Sequence, residues 1–352
     1  MKFFNWIPVI CCLALVFPGC HAKNPPPVET PAAPEPAVVE PEVTVTEQKP
    51  IESETAAEKP AAAPARNASV SYQPSRSLKD FSGLLPSFGV NISEIDPVNY
   101  QKADPAVLRQ MGMEQYLISF ISAEKQYRAG DYDNAIAEYT HSINLKSDYA
   151  DSLEARGNAW LKKGQLSRAI DDYTRAINLK SDRAELYNYR GYAYAERGET
   201  EKAIADYTRA LKLRTDYTDA LANRAYAFYE KGDYDSTIED CTRLVRLEPR
   251  NASVWNRRGS AWYCKEDDDR AIADFSEAVK LNPNYALAYH NRGNAWYNKG
   301  NFDKALADLN RALAIDPGYA NAYASRGNIL RLLGSNESAA ADFAAAESIT
   351  GP

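Results

Sequence analysis

From residue 116 onward the apolar positions fall three and four residues apart, the spacing of one face of an α-helix. Within 150–183, Leu153, Gly157, Trp160 and Leu161 mark one such face. Gly164 interrupts it, and Ala169, Ile170, Tyr173, Ala176 and Ile177 mark a second. The pattern predicts two amphipathic helices joined by a short turn. The small residues Gly157, Ala169 and Ala176 would let two helix backbones approach, while Trp160 and Tyr173 fill the volume beside them.

The unit recurs. Arg156, Arg190, Arg224, Arg258, Arg292 and Arg326 stand 34 residues apart. Gly157, Gly191, Gly259, Gly293 and Gly327 keep the same step, with Ala225 in the one vacancy. Asp172, Asp206, Asp240, Asp274, Asp308 and Asp342 repeat it again. A period of this length marks stacked supersecondary units that cannot bury their apolar faces alone. Each arginine has an aspartate sixteen residues later. This reads as a ladder of structural ion pairs, formed within units or between neighbours. A stripe for an anionic ligand fits less well, because the acids would already neutralise it.

The unit resembles the tetratricopeptide repeat. Counting from Ala150, Gly157 holds the small eighth position and Trp160 the aromatic eleventh. Ala169, Tyr173 and Ala176 hold positions 20, 24 and 27, and Pro249, Pro283 and Pro317 hold position 32. The resemblance implies an all-α, right-handed superhelical solenoid of seven units: 116–149, 150–183, 184–217, 218–251, 252–285, 286–319 and 320–352. Unit one departs from the pattern at Ser119, Ser122 and Gln126. Unit four carries Thr237 and Cys241, and unit five has Glu266 at the turn glycine.

In this family the first helix of each unit lines a concave groove. Carrying its inward positions over gives Asn158, Asn188, Asn256, Asn294 and Asn328, with Tyr192, Tyr226, Tyr229, Tyr263, Tyr297 and His290. Asparagine amides donate and accept together, so spaced amides can grip an extended peptide backbone. Tyrosine offers a large contact area at low entropic cost. Tyr226, Tyr229, Tyr263 and Tyr297 are expected to form a continuous aromatic floor. The acids Glu124, Asp151, Glu154, Glu185, Glu196, Asp219 and Glu230 outnumber Arg128, Lys162 and Arg331. The expected occupant of the concave groove is therefore a neutral to basic protein or peptide. The lysines with which one branch of the family clamps a chain-terminal carboxylate are absent from positions 2 and 5.

Ahead of the repeats the pattern changes. A mostly apolar run from Trp6 to Phe17 is too short to cross a bilayer and fits a secretory signal over 1–19. Gly19-Cys20 at its end resembles a bacterial lipobox, with Cys20 as the lipidated residue; cleavage after Ala22 and an uncleaved anchor are the alternatives. Eleven of the 20 prolines fall between Lys23 and Arg76. Such a stretch buries too little apolar surface to fold, so 20–76 is expected to be a disordered, Pro-rich tether. Leu78, Phe81, Leu84, Leu85 and Phe88 are too apolar for a tether. The segment 77–115 reads as an N-terminal cap on the open end of the solenoid, or as a strand lying in its own groove.

Composition narrows the function. A net charge of −7 argues against nucleic-acid binding. Three histidines, His21, His141 and His290, and five scattered cysteines make no metal-ligand cluster. No phosphate loop, nucleophile elbow or supported catalytic carboxylate pair is present, so neither an enzyme nor a cofactor is expected. The reading is an extracytoplasmic scaffold or adaptor, periplasmic and held to an envelope membrane by its N-terminal lipid, acting in envelope assembly or maintenance. The alternative is an accessory protein that binds peptidoglycan or exported polysaccharide.

Overall fold

A computed structural model describes residues 113–351, together with Arg109. The expected signal segment, Cys20, the tether and nearly all of the 77–115 cap lie outside the described residues. Among the described residues there are fourteen helices and no strand. They are α1 (Gln115–Arg128), α2 (Tyr132–Leu145), α3 (Ala150–Lys162), α4 (Leu166–Leu179), α5 (Ala184–Glu196), α6 (Thr200–Leu213) and α7 (Thr218–Lys231). These are followed by α8 (Tyr234–Leu247), α9 (Ala252–Cys264), α10 (Asp268–Leu281), α11 (Ala286–Asn298), α12 (Phe302–Ile315), α13 (Ala320–Leu332) and α14 (Asn336–Thr350).

Local chemistry sets the helix ends. The carboxylates of Asp131, Asp233 and Asp267 accept from backbone N–H groups in the first turns of α2, α8 and α10. Each satisfies a donor that the helix itself cannot. Gly164 closes α3 in the left-handed region, at φ +69. Glu266 adopts the same conformation, at φ 59. Stacking therefore imposes the turn even on a residue with a Cβ, at a cost of roughly 1–2 kcal/mol.

Each helix packs chiefly on the one before and the one after it. First helices of neighbouring units also touch one another, as α3 does α5 and α11 does α13; the second helices make no comparable contact. Helices on the inside of a bend come closer together than those outside. The first helices therefore line the concave side.

Close packing explains the glycine ladder and its gap. A Cβ on Gly157 would stand 2.7 Å from Cε1 of Tyr173, and one on Gly259 would stand 2.8 Å from the Phe275 ring. Unit four has Cys241 in place of that aromatic, and the smaller side chain leaves room for Ala225; both are fully buried in one core cluster. Cys241 and Cys264 are free thiols, both buried. Burial pushes the Cys241 thiol up to about 12.

Candidate functional site

The arginine ladder is a repeated joint. Arg258 donates from Nε to Oδ2 of Asp274 and from Nη2 to Oδ1, both at 2.7 Å. The pairs Arg156–Asp172, Arg190–Asp206, Arg224–Asp240, Arg292–Asp308 and Arg326–Asp342 repeat that fork at 2.7–2.8 Å. The ion pairs thus form within units, a choice the sequence left open. The remaining nitrogen, Nη1, reaches the preceding unit. It meets the hydroxyls of Thr140, Thr174, Thr208, Thr242 and Ser276, and the amide oxygen of Asn310. One guanidinium therefore ties three helices and two units together.

A second set of ion pairs escaped the sequence reading. Lys163 pairs with Asp133, Lys231 with Glu201, Lys265 with Asp235 and Lys299 with Asp269, each across a unit boundary. Its signal is a lysine closing the first helices of units two, four, five and six, with an acid thirty residues earlier. These pairs are solvent-exposed, so each contributes little.

The inner face differs from the expected groove. Asn256 is 0% exposed and His290 1%. Asn158, Asn188 and Asn294 are also buried, as are Tyr229 and Tyr263. Tyr229 and Tyr263 are packed into the core between units, so the expected continuous aromatic floor does not exist. Tyr263 packs among Ala271, Ile272, Phe275 and Ala295. Tyr229 packs with Ala261 and Cys264. Tyr192, Tyr226, Tyr297 and Asn328 remain half-buried on the first helices.

Position 5 explains the burial. Its side chain is met by position 34 of its own unit and position 6 of the next. Asn188 donates to the Tyr217 hydroxyl at 3.4 Å and accepts from Asn223 at 3.0 Å. Asn256 accepts from Asn291 at 3.2 Å. His290 contacts the Ser325 hydroxyl through Nε2 at 3.1 Å and the Tyr319 hydroxyl through Nδ1 at 3.2 Å. Burial holds His290 down to about 4, so the ring is neutral at neutral pH. Elsewhere on this face the Tyr173 hydroxyl donates to Asn158 at 2.7 Å.

The groove acids are mostly spent internally. Arg183, which precedes α5, reaches Asp151 at 2.5 Å and Glu154 at 2.6 Å. The Glu154 contact is short but not aligned as a hydrogen bond, so neither Glu154 oxygen has a proper donor. Burial pushes this carboxyl up to about 7, against the pull of Arg183. Glu185 pairs with Arg214 at 2.7 Å, and Glu124 accepts from the Tyr139 hydroxyl at 2.6 Å. Asp219 forms no ion pair within 4.0 Å among the described residues. Where unit three sets Arg214 against Glu185, unit four sets Glu248 near Asp219. Burial, with Glu248 adding to it, raises the Asp219 carboxyl against the pull of Arg214.

A curved stack of two-helix units with buried inter-unit polar links and a half-buried tyrosine face defines a repeat solenoid of the kind that docks other proteins. The tetratricopeptide repeat profile matches residues 286–319, and the TPR repeat profile matches 157–198, 191–232 and 259–300. The chain is a member of the tetratricopeptide-repeat family, and as such a scaffold for protein–protein interaction. A tetratricopeptide repeat protein from Parabacteroides merdae is 22% identical over 67% of this chain and 93% of its own, with a TM-score of 0.54. The C-terminal part of a TPR repeat-containing protein from Cytophaga hutchinsonii is 18% identical over 65% of this chain and 92% of its own, with a TM-score of 0.54. At these identities the likeness is one of fold. No curated protein matches the chain.

Proposed function

We propose that this chain is a non-catalytic, extracytoplasmic adaptor, tethered to a bacterial envelope membrane by a lipid on Cys20. It holds protein partners along its inner face during envelope assembly or maintenance. The half-buried row of Tyr192, Tyr226 and Tyr297, presented by the first helices of three units, carries the reading. These rings offer apolar area that the solenoid leaves half-covered, at positions where a partner segment can cover it. Asp219 and Glu248, neither of them in an ion pair among the described residues, favour a neutral or basic stretch of partner beside unit four. The apolar run ending in Gly19-Cys20 and the proline-rich 20–76 support a membrane tether.

Crosslinked capture from envelope extracts tests the face. The triple change Tyr192→Ala/Tyr226→Ala/Tyr297→Ala should remove the specific protein set while helicity persists. Loss of one aromatic anchor typically costs ~2 kcal/mol, roughly thirtyfold in affinity. Retention of the wild type on isolated cell wall, with no protein captured, would turn the reading toward peptidoglycan or polysaccharide. Cys20→Ser should release the protein from membranes; an unchanged membrane fraction sinks the anchor.

A further inference from the structure

Arg257 stands one residue before a ladder arginine and is more deeply buried, at 9% exposed. It has no acid. Its Nη1 donates to the carbonyl of Ala222 in the preceding unit at 3.0 Å, just as ladder arginines send Nη1 to the preceding unit. Its Nε is closed to water and has no partner. Nη2 has no partner among the described residues, and no carboxylate lies within 4.0 Å of the guanidinium. The two nitrogens left over are the pair that, in all six ladder arginines, forks onto an aspartate. Nearby polar groups are also incomplete. Asn256 Nδ2 and the Tyr285 hydroxyl are buried without partners, as is Oδ1 of Asn291, which holds Asn256. Tyr285 lies close enough to feel the Arg257 charge. A buried cation with unfilled donors has paid for desolvation without receiving a counter-charge.

We propose that the Nε/Nη2 edge of Arg257 receives the side-chain carboxylate of an aspartate or glutamate in an extended segment of a partner protein. This rests on the scaffold reading and names the chemistry of its occupant. A side chain fits better than a chain terminus because this fold already seats six aspartate side chains on that same edge. Nη2 is the point of first contact. The second oxygen reaches the closed Nε only when the half-buried Tyr226 ring, 5.6 Å from the guanidinium carbon, tilts aside. Asp219 and Glu248 on unit four repel a second acid there, so the segment is acidic at unit five and neutral or basic toward unit four.

Nitrogen-15 spectra of the full chain read the Arg257 Nε–H directly, with Arg257→Gln assigning the signal. N-acetyl-aspartyl-N-methylamide should shift that signal saturably and leave the Arg258 Nε–H in place. N-acetyl-asparaginyl-N-methylamide should bind about tenfold more weakly or not at all, since charge-assisted forks are the stronger bonds. Equal responses to both probes, or none to the aspartyl probe, overturn the site. A response to N-acetylglycine without one to the aspartyl probe overturns it in favour of a chain terminus. If proteins are captured through the inner face while the Arg257 signal stays flat, the carboxylate site falls and the scaffold reading stands. If the signal shifts and no protein is captured, the scaffold reading falls, and this partner with it.

Discussion

Arg257 and Arg258 are neighbours in the chain and opposites in environment. Arg258 lies in the joint between units and fills all three sides of its guanidinium: both oxygens of Asp274 and the Thr242 hydroxyl. Arg257 lies on the inner face, is more buried, and fills one. The same side chain thus serves as glue in one region and as an unfilled receptor in the other. The difference lies in whether the fold supplies the counter-charge. A ladder cation is complete before any partner arrives, whereas the inner-face cation is completed from outside.

The largest expected effect breaks the glue. Arg258→Ala leaves Asp274 buried, where burial already raises its carboxyl against the pull of Arg258. Removing one member of such a pair costs about 3 kcal/mol. The melting temperature of the repeat region should fall by roughly 6–12 °C, and partner capture at low temperature should survive. A melting temperature within a degree of wild type would mean that the ladder is ornamental.

Arg183 sharpens the comparison from the other side, because it has two acids rather than one or none. Glu154 is raised to about 7 from an ordinary 4.5 by burial, opposed by Arg183, with Asp151, Glu185 and Glu124 adding to the rise. The folded chain therefore holds a proton that the unfolded chain has lost between about pH 4.5 and 7. In that window Glu154 lowers stability as pH rises. Glu154→Gln should flatten this part of the pH–stability curve and raise stability at pH 8 by roughly 2 kcal/mol. Arg183 keeps Asp151 and is not orphaned. A variant that is less stable at pH 8 would show that the Glu154 charge is a net support for the unit two–three junction.

Much of the fold was legible in the sequence because the 34-residue step fixes the small and aromatic packing positions without needing a third dimension. Glycines at position 8 face a large side chain, aromatic in four units and Leu309 in the sixth, and Ala225 faces the smaller Cys241. The joint was legible as composition but not as connectivity, since Asp172 is sixteen residues from Arg156 whichever unit it serves. The site was less legible. Asn256, His290, Tyr229 and Tyr263 sit at positions that face the groove in a single unit, yet the next unit closes over them. Whether position 5 stays open depends on position 34 of its own unit and position 6 of the next. Position 6 is not among the family's inward positions, so the sequence does not single out Arg257; its unfilled nitrogens show only in the folded chain.

The smallest effect is the most telling. Arg257→Gln removes a buried charge that has no partner to orphan, and loses the bond to Ala222 and the contact with the Tyr226 ring. The relief from desolvation should roughly cancel those losses, leaving stability within about 0.5 kcal/mol of wild type. Thermal melts of Arg257→Gln and Arg258→Ala, run side by side, put the two regions on one scale. A drop for Arg257→Gln as large as that for Arg258→Ala would mean that Arg257 is structural after all, with its counter-charge supplied from within the chain. A flat melt combined with loss of the aspartyl probe's response is the signature of a residue kept for what it receives, since the fold gains nothing from holding that charge alone.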